Sequence, residues 1–477
     1  MTQTTAAAAE SASPAVPASS RVPLATIGLM LGALLSVLDQ TVVAIALPKI
    51  AEDIGGMRSI GWTITGYLLA ATVTGALYGR LSDRFGRRAV FISAVIVFVI
   101  ASALAGAAQT LWQLVAARAV QGIGGGALFV VPTIAISELY PVDRRGRMQG
   151  LMGAVFAIAS VGGPLVGGTI TDVAGWRWIF YINIPLGLVS ILLVAISLRL
   201  PQASGRASLD LAGSALLVAA VASLLLITEW GGGTHAWGSP TILGLIALTL
   251  LSTMVFLWWE RRAVHPILPP RLFANRTLRI ALPATLLLGA VLSGSVVYLP
   301  TYLQAAFDLT ATQAGFAGLP YFLTFVAVSA IAGSRAGASG RFKPHLLTGS
   351  LLVVAGFLLF TEIEKDSGYP VLAACLVVWG VAFGLIMQNL VVVSQNAVAP
   401  TDLAVTTSAT VSLRGLGMSL GVALFGSLLT RELTGEPSAP GAIAAAIPRV
   451  LHWGVPLAVV LAILIILLPR PTRTTTS

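Results

Sequence analysis

Fourteen apolar blocks, each about twenty residues long, follow one another along this chain and leave it one environment to fold in. A helix crosses a hydrocarbon core of about 30 Å in about twenty residues. The blocks fall at 23–47, 60–79, 89–107, 111–134, 148–170, 178–198, 209–228, 240–259, 280–303, 313–334, 346–361, 370–395, 405–430 and 450–468. Lipid leaves helices and closed barrels as the ways to satisfy a spanning backbone, and segments of this length read as helices. The expected fold is an all-α integral membrane protein. Charged residues make up 10% of the 477 residues, against roughly 25% in soluble domains, too few to cover a water-soluble surface.

The net charge of +10 would suggest nucleic-acid binding in a soluble chain. Its placement argues for topology. With the N-terminus inside, the inner segments carry Arg21; Arg80, Arg84, Arg87, Arg88; Arg144, Arg145, Arg147; Arg199, Arg206; Arg261, Arg262, Arg271, Arg276, Arg279; Arg335, Arg341, Lys343; Arg470 and Arg473. The outer segments carry Lys49, Arg58, Arg177, Lys365, Arg431 and Arg449. Cytoplasmic loops are the basic ones, so both termini are expected in the cytoplasm of a bacterial-type cell. Nucleic acid is excluded as a partner. Cys375 is the single cysteine, so no intrachain disulfide forms. The Ala/Ser/Pro/Thr-rich start lacks a basic n-region and is expected to be a disordered tail.

A shift of 259 positions pairs Gly125 with Gly384, Pro141 with Pro400, Asp143 with Asp402, Gly162 with Gly421 and Gly167 with Gly426. Repeated halves are common in transporters. The expected organisation is a tail at 1–22, a six-helix bundle at 23–199, a two-helix insert at 200–259, a cytoplasmic loop at 260–279, a second six-helix bundle at 280–469 and a tail at 470–477.

Ionisable groups inside hydrocarbon are functional candidates by default. Asp39 is the one acidic residue well inside a span, and Arg118 and Arg414 are the comparable cations. Counting from the outer ends of their spans, Asp39 lies ~13 Å deep and Arg118 ~10 Å deep at ~1.5 Å per residue. Opposite charges at matched depth can pair. Burial favours the neutral acid and a neighbouring arginine favours the carboxylate, a balance that suits proton coupling; a structural ion pair locking two helices is the competing reading. Arg414, in TVSLRGLGMSLG, is expected to face the cavity and attract an anionic cargo or hold a polar partner. Gln40, Tyr67, Gln121, Gln388 and Asn389 are further cavity candidates, with hydrogen bonding between helices as the alternative. The tryptophans at 176, 178, 230, 237, 258, 259 and 453 lie near span ends, as interfacial anchors do.

Two glycine-rich segments stand out. GRLSDRFGRR joins spans 2 and 3, and Gly79, Asp83, Arg84, Gly86, Arg87 and Arg88 are expected to form a conformational latch that reaches the other bundle. AVFAIASVGGPLVGGTI places Gly162, Gly163, Pro164, Gly167 and Gly168 within seven residues. Glycines four apart admit a close helix and proline removes a backbone bond, so this stretch is either a hinge or a tight seam. No GxxxxGK[ST] loop appears, nor any metal-ligand spacing or nucleophile–base constellation. The chain is not expected to be an enzyme.

Together these motifs resemble the major facilitator superfamily, in particular its fourteen-span drug–proton antiporter branch. GRLSDRFGRR is similar to the signature loop between spans 2 and 3, LDQTVVAIALPKI to the first-span signature, RAVQGIGGG to the fourth-span signature, GGPLVGG to the antiporter motif and WRWIFYINIP to a segment typical of the branch. Ala159 stands where the antiporter motif often begins with glycine. The resemblance implies two six-helix bundles plus two inserted helices, rocking about a central site. Protons moving inward would drive drugs or antibiotics outward, with Asp39 and Arg118 in coupling, no cofactor beyond the proton, and a monomer sufficient. Two alternatives stand beside it: export or import of an anionic metabolite held by Arg118 and Arg414, and a non-transporting sensor or scaffold.

Overall fold

A computed structural model describes residues 21–55, 60–200, 210–231, 234–264, 266–363, 368–433 and 440–469. The expected tails, beyond Arg21 and Val22, lie outside them. The helices are α1 (Val22–Ile54), α2 (Trp62–Phe85), α3 (Arg87–Gly106), α4 (Leu111–Leu139), α5 (Val142–Val173), α6 (Trp178–Tyr181), α7 (Asn183–Ser197), α8 (Leu211–Trp230), α9 (Pro240–Glu260), α10 (Arg276–Phe307), α11 (Ala311–Ala317), α12 (Leu319–Ser339), α13 (Phe342–Thr361), α14 (Gly368–Asn396), α15 (Leu403–Glu432), α16 (Pro440–His452) and α17 (Gly454–Leu467).

Thirteen helical segments among the described residues are long and apolar enough to cross a membrane. The exception among the expected spans is α2, whose 24 residues reach ~36 Å at ~1.5 Å per residue. Its length suffices. Its apolarity is diluted by threonines, and Thr65 and Thr72 line the central cavity described below. Two expected spans are jointed: α6 gives way to α7 at Ile182, and α16 to α17 at Trp453. The last span also starts earlier than the apolar pattern suggests, at Ala442. Arg449, expected as an outer flank, therefore lies within it and pairs with Glu432 at 3.2 Å.

Helices α1–α7 pack into one bundle and α10–α17 into a second. The second is centred on aromatics: Trp379, fully buried, stacks on Phe360 with centroids 4.9 Å apart. The inserted pair α8–α9 rests through α8 against α2 and α15. Only 17% of the most apolar window of α9 is buried against protein, as befits a helix facing lipid. Among the expected anchors, Trp178, Trp237, Trp258 and Trp453 are exposed. Trp176 departs from that expectation: it is buried and donates to Asp53 at 3.0 Å.

The bundles meet along α2–α15 and α5–α12, and on the side of the Gly79–Arg88 loop they are sealed. A Cβ on Gly79 would lie 2.9 Å from the Ala404 carbonyl oxygen and from Ser408 Cβ, so glycine is what lets α2 and α15 touch there. Ser408 donates to the carbonyl of Gly75 at 2.6 Å, and Ser137 donates to Gln395 at 2.9 Å. On the other flank, a Cβ at Gly337 would come within 2.6 Å of the Asp143 carbonyl.

Candidate functional site: a caged ion pair and a central cavity

α1 and α4 bring Asp39 and Arg118 into a direct ion pair, both side chains almost completely buried. Arg118 Nη1 donates to Asp39 Oδ2 and, at 2.7 Å, to Gln121 Oε1. Asp39 Oδ1 accepts from Gln121 Nε2 and from Asn183 Nδ2, each at 2.9 Å. Those two amides also reach Ser102, at 3.1 and 2.9 Å. Arg118 Nε donates to the Thr63 carbonyl at 3.2 Å, and its guanidinium lies 4.4 Å from the Tyr67 ring centroid. Both carboxylate oxygens are thus occupied by donors from α4 and α7. Such completeness is what a buried pair requires, because desolvating two charges otherwise outweighs their attraction.

Sequence reasoning paired Asp39 with Arg118 by depth but missed Ser102 and Asn183. The signal for Asn183 was present: an amide in the otherwise apolar run IFYINIPLG. Tyr67 and Gln121, expected in the cavity, belong instead to this cage; Tyr67 also hydrogen-bonds Ser36 at 3.0 Å.

A cavity of about 1380 Å³ lies between the bundles. It runs from mid-span residues such as Gln40, Phe129 and Arg414 to helix ends opposite the sealed face, such as Gln304 and Arg431. The insert contributes Leu225, Thr228 and Trp237 to its wall. Gln40 faces it from α1, one residue from Asp39, which does not. Gln388 and Asn389 depart from expectation: both are buried in α14 and neither lines the cavity. Arg414 does line it, its guanidinium 5.2 Å from the centroid of Phe129 in the other bundle.

In the signature loop, Gly86 has φ of 86°, a left-handed turn that glycine adopts without strain, and it reverses α2 into α3. Arg87 donates to Asp83 at 2.6 Å, to Ser82 at 2.7 Å and to Glu138 on α4 at 2.8 Å. Contrary to the expectation of a bridge, Arg87 ties elements of its own bundle, and Arg84 and Arg88 are exposed. The reach across is made by the loop's neighbours. Gly79 touches α15, and Arg80 donates to the Pro266 carbonyl after the insert.

In α5, a Cβ on Gly163 would collide with the Thr41 side chain, and one on Gly167 would come 2.9 Å from Val42 Cγ1. Thr41 also donates to the Ala159 carbonyl at 3.2 Å. These glycines form a tight seam with α1. Gly162 looks elsewhere, with Leu38 Cδ1 3.9 Å away. Gly168 continues the same unbroken helix, and the backbone at Pro164 is helical; the side chain of Pro164 lies outside the described residues. A matching seam joins the second bundle, where a Cβ on Gly421 would lie 2.8 Å from Ala290 Cα on α10.

Two helical bundles around a membrane-embedded cavity define a multi-pass membrane transporter. The family profile described as Major Facilitator Superfamily matches residues 29–422, and the chain belongs to that family. It is 35% identical to the multidrug transporter protein MdtP of Bacillus subtilis over 402 residues, 84% of this chain and 74% of that one. It is 34% identical to multidrug resistance protein 3 of the same organism, over 86% of this chain and 80% of that one. Among solved structures, the human organic anion transporter MFSD10 superposes with a TM-score of 0.67 at 18% identity, covering 93% of this chain and 99% of that one. That likeness is one of fold.

Proposed function

We propose that this chain is a proton-coupled antiporter of the fourteen-span drug-exporting branch, moving drugs, antibiotics or similar small hydrophobic compounds out across the cytoplasmic membrane by alternating access. In this reading the sealed face and both termini are cytoplasmic, which the basic loops support. The conformation described is then open to the outside, and α2 is the fourteenth span.

The observation that carries this reading is the Asp39–Arg118 pair. Asp39 is the one buried carboxylate in mid-span among the described residues. To take a proton it must lose Arg118, whose guanidinium is held by the Thr63 carbonyl and the Tyr67 face, both on α2. That helix also forms the seal with α15 through Gly75 and Gly79. Parting the bundles at the sealed face moves α2 and with it the arginine's supports. Proton occupancy and bundle exposure thus share one helix. The Gly163–Gly167 seam keeps α1 and α5 together through the movement, and Gly79, Asp83, Gly86 and Arg87 shape the latch, with Arg84 and Arg88 facing the cytoplasm. The membrane potential adds about 2.3 kcal/mol per charge per 100 mV. The relatives named multidrug transporter and multidrug resistance protein support export as the direction.

Everted membrane vesicles containing the protein provide the test, with cargo accumulation followed as the pH gradient is imposed and collapsed. Accumulation is expected to follow the gradient in the wild type and to lose that dependence in Asp39→Asn. Uphill transport that persists in Asp39→Asn, or that ignores the gradient in the wild type, would overturn the reading.

A further inference from the structure

Among the described residues, the charged side chain in the mid-span wall of the cavity is Arg414. The cavity's described lining residues include two arginines, Arg414 and Arg431, and no aspartate or glutamate. The nearest mid-span acid, Asp39, sits behind α1, fully neutralised by Arg118 and its amide cage. No described residue of the wall therefore offers a countercharge to a cationic compound. At the mouth, Glu432 is engaged by Arg449 at 3.2 Å.

Arg414 shows what the wall offers instead. It is 6% exposed, and its Nη1 has no hydrogen-bond partner. A guanidinium does not deprotonate in proteins and carries five donors. A buried donor without an acceptor is unfavourable by itself. The face of Phe129 compensates in part, as an aromatic ring does for a cation. The hydroxyl of Ser412, one turn-half away and also in the cavity wall, is likewise without a partner. Two orphaned polar atoms, one of them on a guanidinium, thus belong to a chamber wall in which apolar and aromatic side chains are interspersed with neutral polar ones such as Gln40, Thr72 and Gln304. A planar carboxylate is the ligand that a guanidinium's planar fork matches. Low-dielectric walls of one sign also concentrate ligands of the other.

We propose that the cargo of this cavity is an amphipathic organic anion: an apolar, typically aromatic body bearing a carboxylate or similar acidic group that Arg414 holds, with permanently cationic compounds disfavoured. This rests on the transport reading above for its biological sense, and on the cavity wall for its chemistry. Because Phe129 and Arg414 belong to different bundles, the bound acid also sits at their junction.

The test compares two probes with one body, 9-anthracenecarboxylate and 9-anthracenylmethylammonium, in equilibrium binding to the full-length protein in lipid nanodiscs, corrected with protein-free discs. The carboxylate is expected to bind the wild type at least about 10-fold more tightly than the ammonium, as one charge-assisted hydrogen bond allows. Arg414→Gln is expected to weaken the carboxylate by a similar factor and to leave or improve the ammonium, with Arg414→Lys in between. Equal or tighter binding of the ammonium to the wild type would overturn the proposal, as would carboxylate binding indifferent to Arg414→Gln, or binding of neither probe. The wild-type comparison stands even if the Gln variant does not fold. Following both probes across proteoliposomes under a pH gradient separates the two readings. Charge-selective binding without movement removes the antiport and upholds the anionic class of ligand for the cavity. Gradient-driven movement of the ammonium in preference to the carboxylate does the reverse.

Discussion

Ser408 on α15 donates its hydroxyl to the backbone carbonyl of Gly75 on α2 at 2.6 Å, across the line that divides the two bundles. One turn further along α2, Gly79 presents bare backbone to the same stretch of α15. The sealed face is therefore held by backbone-to-backbone proximity more than by charges, and it is sensitive to a single methyl group.

Gly79→Val is expected to hold that face open. The check uses a Cys375→Ser background carrying Ser137→Cys, since Ser137 is fully buried and hydrogen-bonds Gln395 of the other bundle. A membrane-impermeant maleimide should label the Cys at position 137 severalfold faster when Gly79→Val is present. Equal labelling rates would show that the seal tolerates the added volume.

The caged pair predicts non-additivity. Removing one partner leaves a buried charge, which is unfavourable by roughly 3–5 kcal/mol, whereas removing both is often nearly neutral. Arg118→Gln is expected to lower the thermal unfolding midpoint strongly, and Asp39→Asn combined with Arg118→Gln to recover most of it. If the double variant falls by the sum of the singles, the two side chains do not act as one unit.

Neighbouring glycines in α5 provide an internal control. Gly163→Ala places a methyl against Thr41 and is expected to destabilise by about 1–3 kcal/mol, the usual effect of overpacking. Gly162→Ala meets only Leu38 at 3.9 Å and should leave stability and transport within about 0.5 kcal/mol and twofold of wild type. Similar losses in both variants would point to a need for flexibility in the helix instead of a seam.

At the opposite face, hydrogen bonds from Arg177 and from Trp176 hold the Asp53 carboxyl below its ordinary 3.8. A depressed folded-state value means that the contact stabilises above the unfolded carboxyl's titration and is lost as pH falls through the folded one. The difference in unfolding midpoint between wild type and Asp53→Asn should accordingly be constant from pH 5 to pH 8 and shrink below pH 3.8. A difference that persists unchanged at lower pH would assign it to packing.

What could be read in advance followed from how unforgiving lipid is. Spans and the Asp39–Arg118 pairing were legible because an ionisable group at a given depth has few places to go. Gln388 and Asn389 were not, because a polar residue on a buried helix satisfies itself equally well in a cavity or between helices; Asn389 simply donates to the Leu385 carbonyl at 2.8 Å. The early start of the last span was hidden in AIAAAIPR at 442–449, where small residues, a proline and an arginine weaken the apolar pattern. Arg87, expected in a latch that reaches the other bundle, is held in its own once folding brings Glu138 from α4 beside it. Neither the span lengths nor the motifs announced that no described residue of the cavity wall would carry a carboxylate, since that depends on which face of α1 turns inward.

That last orientation has a wider meaning. Gln40 and Asp39 are consecutive residues of α1, yet one looks into the chamber and the other into the packed interior behind it. The helix works as a partition wall with a different tenant on each side. In the proposed antiport, a compound in the chamber and a proton on the acid would then not compete for one spot, and both could be aboard at the same time. Under the proposed antiport, exchange between them would have to be relayed through the packing around that wall, with α2 carrying the supports of Arg118 on one side and the seal on the other, so freezing α2 would leave two intact binding sites with nothing to say to each other.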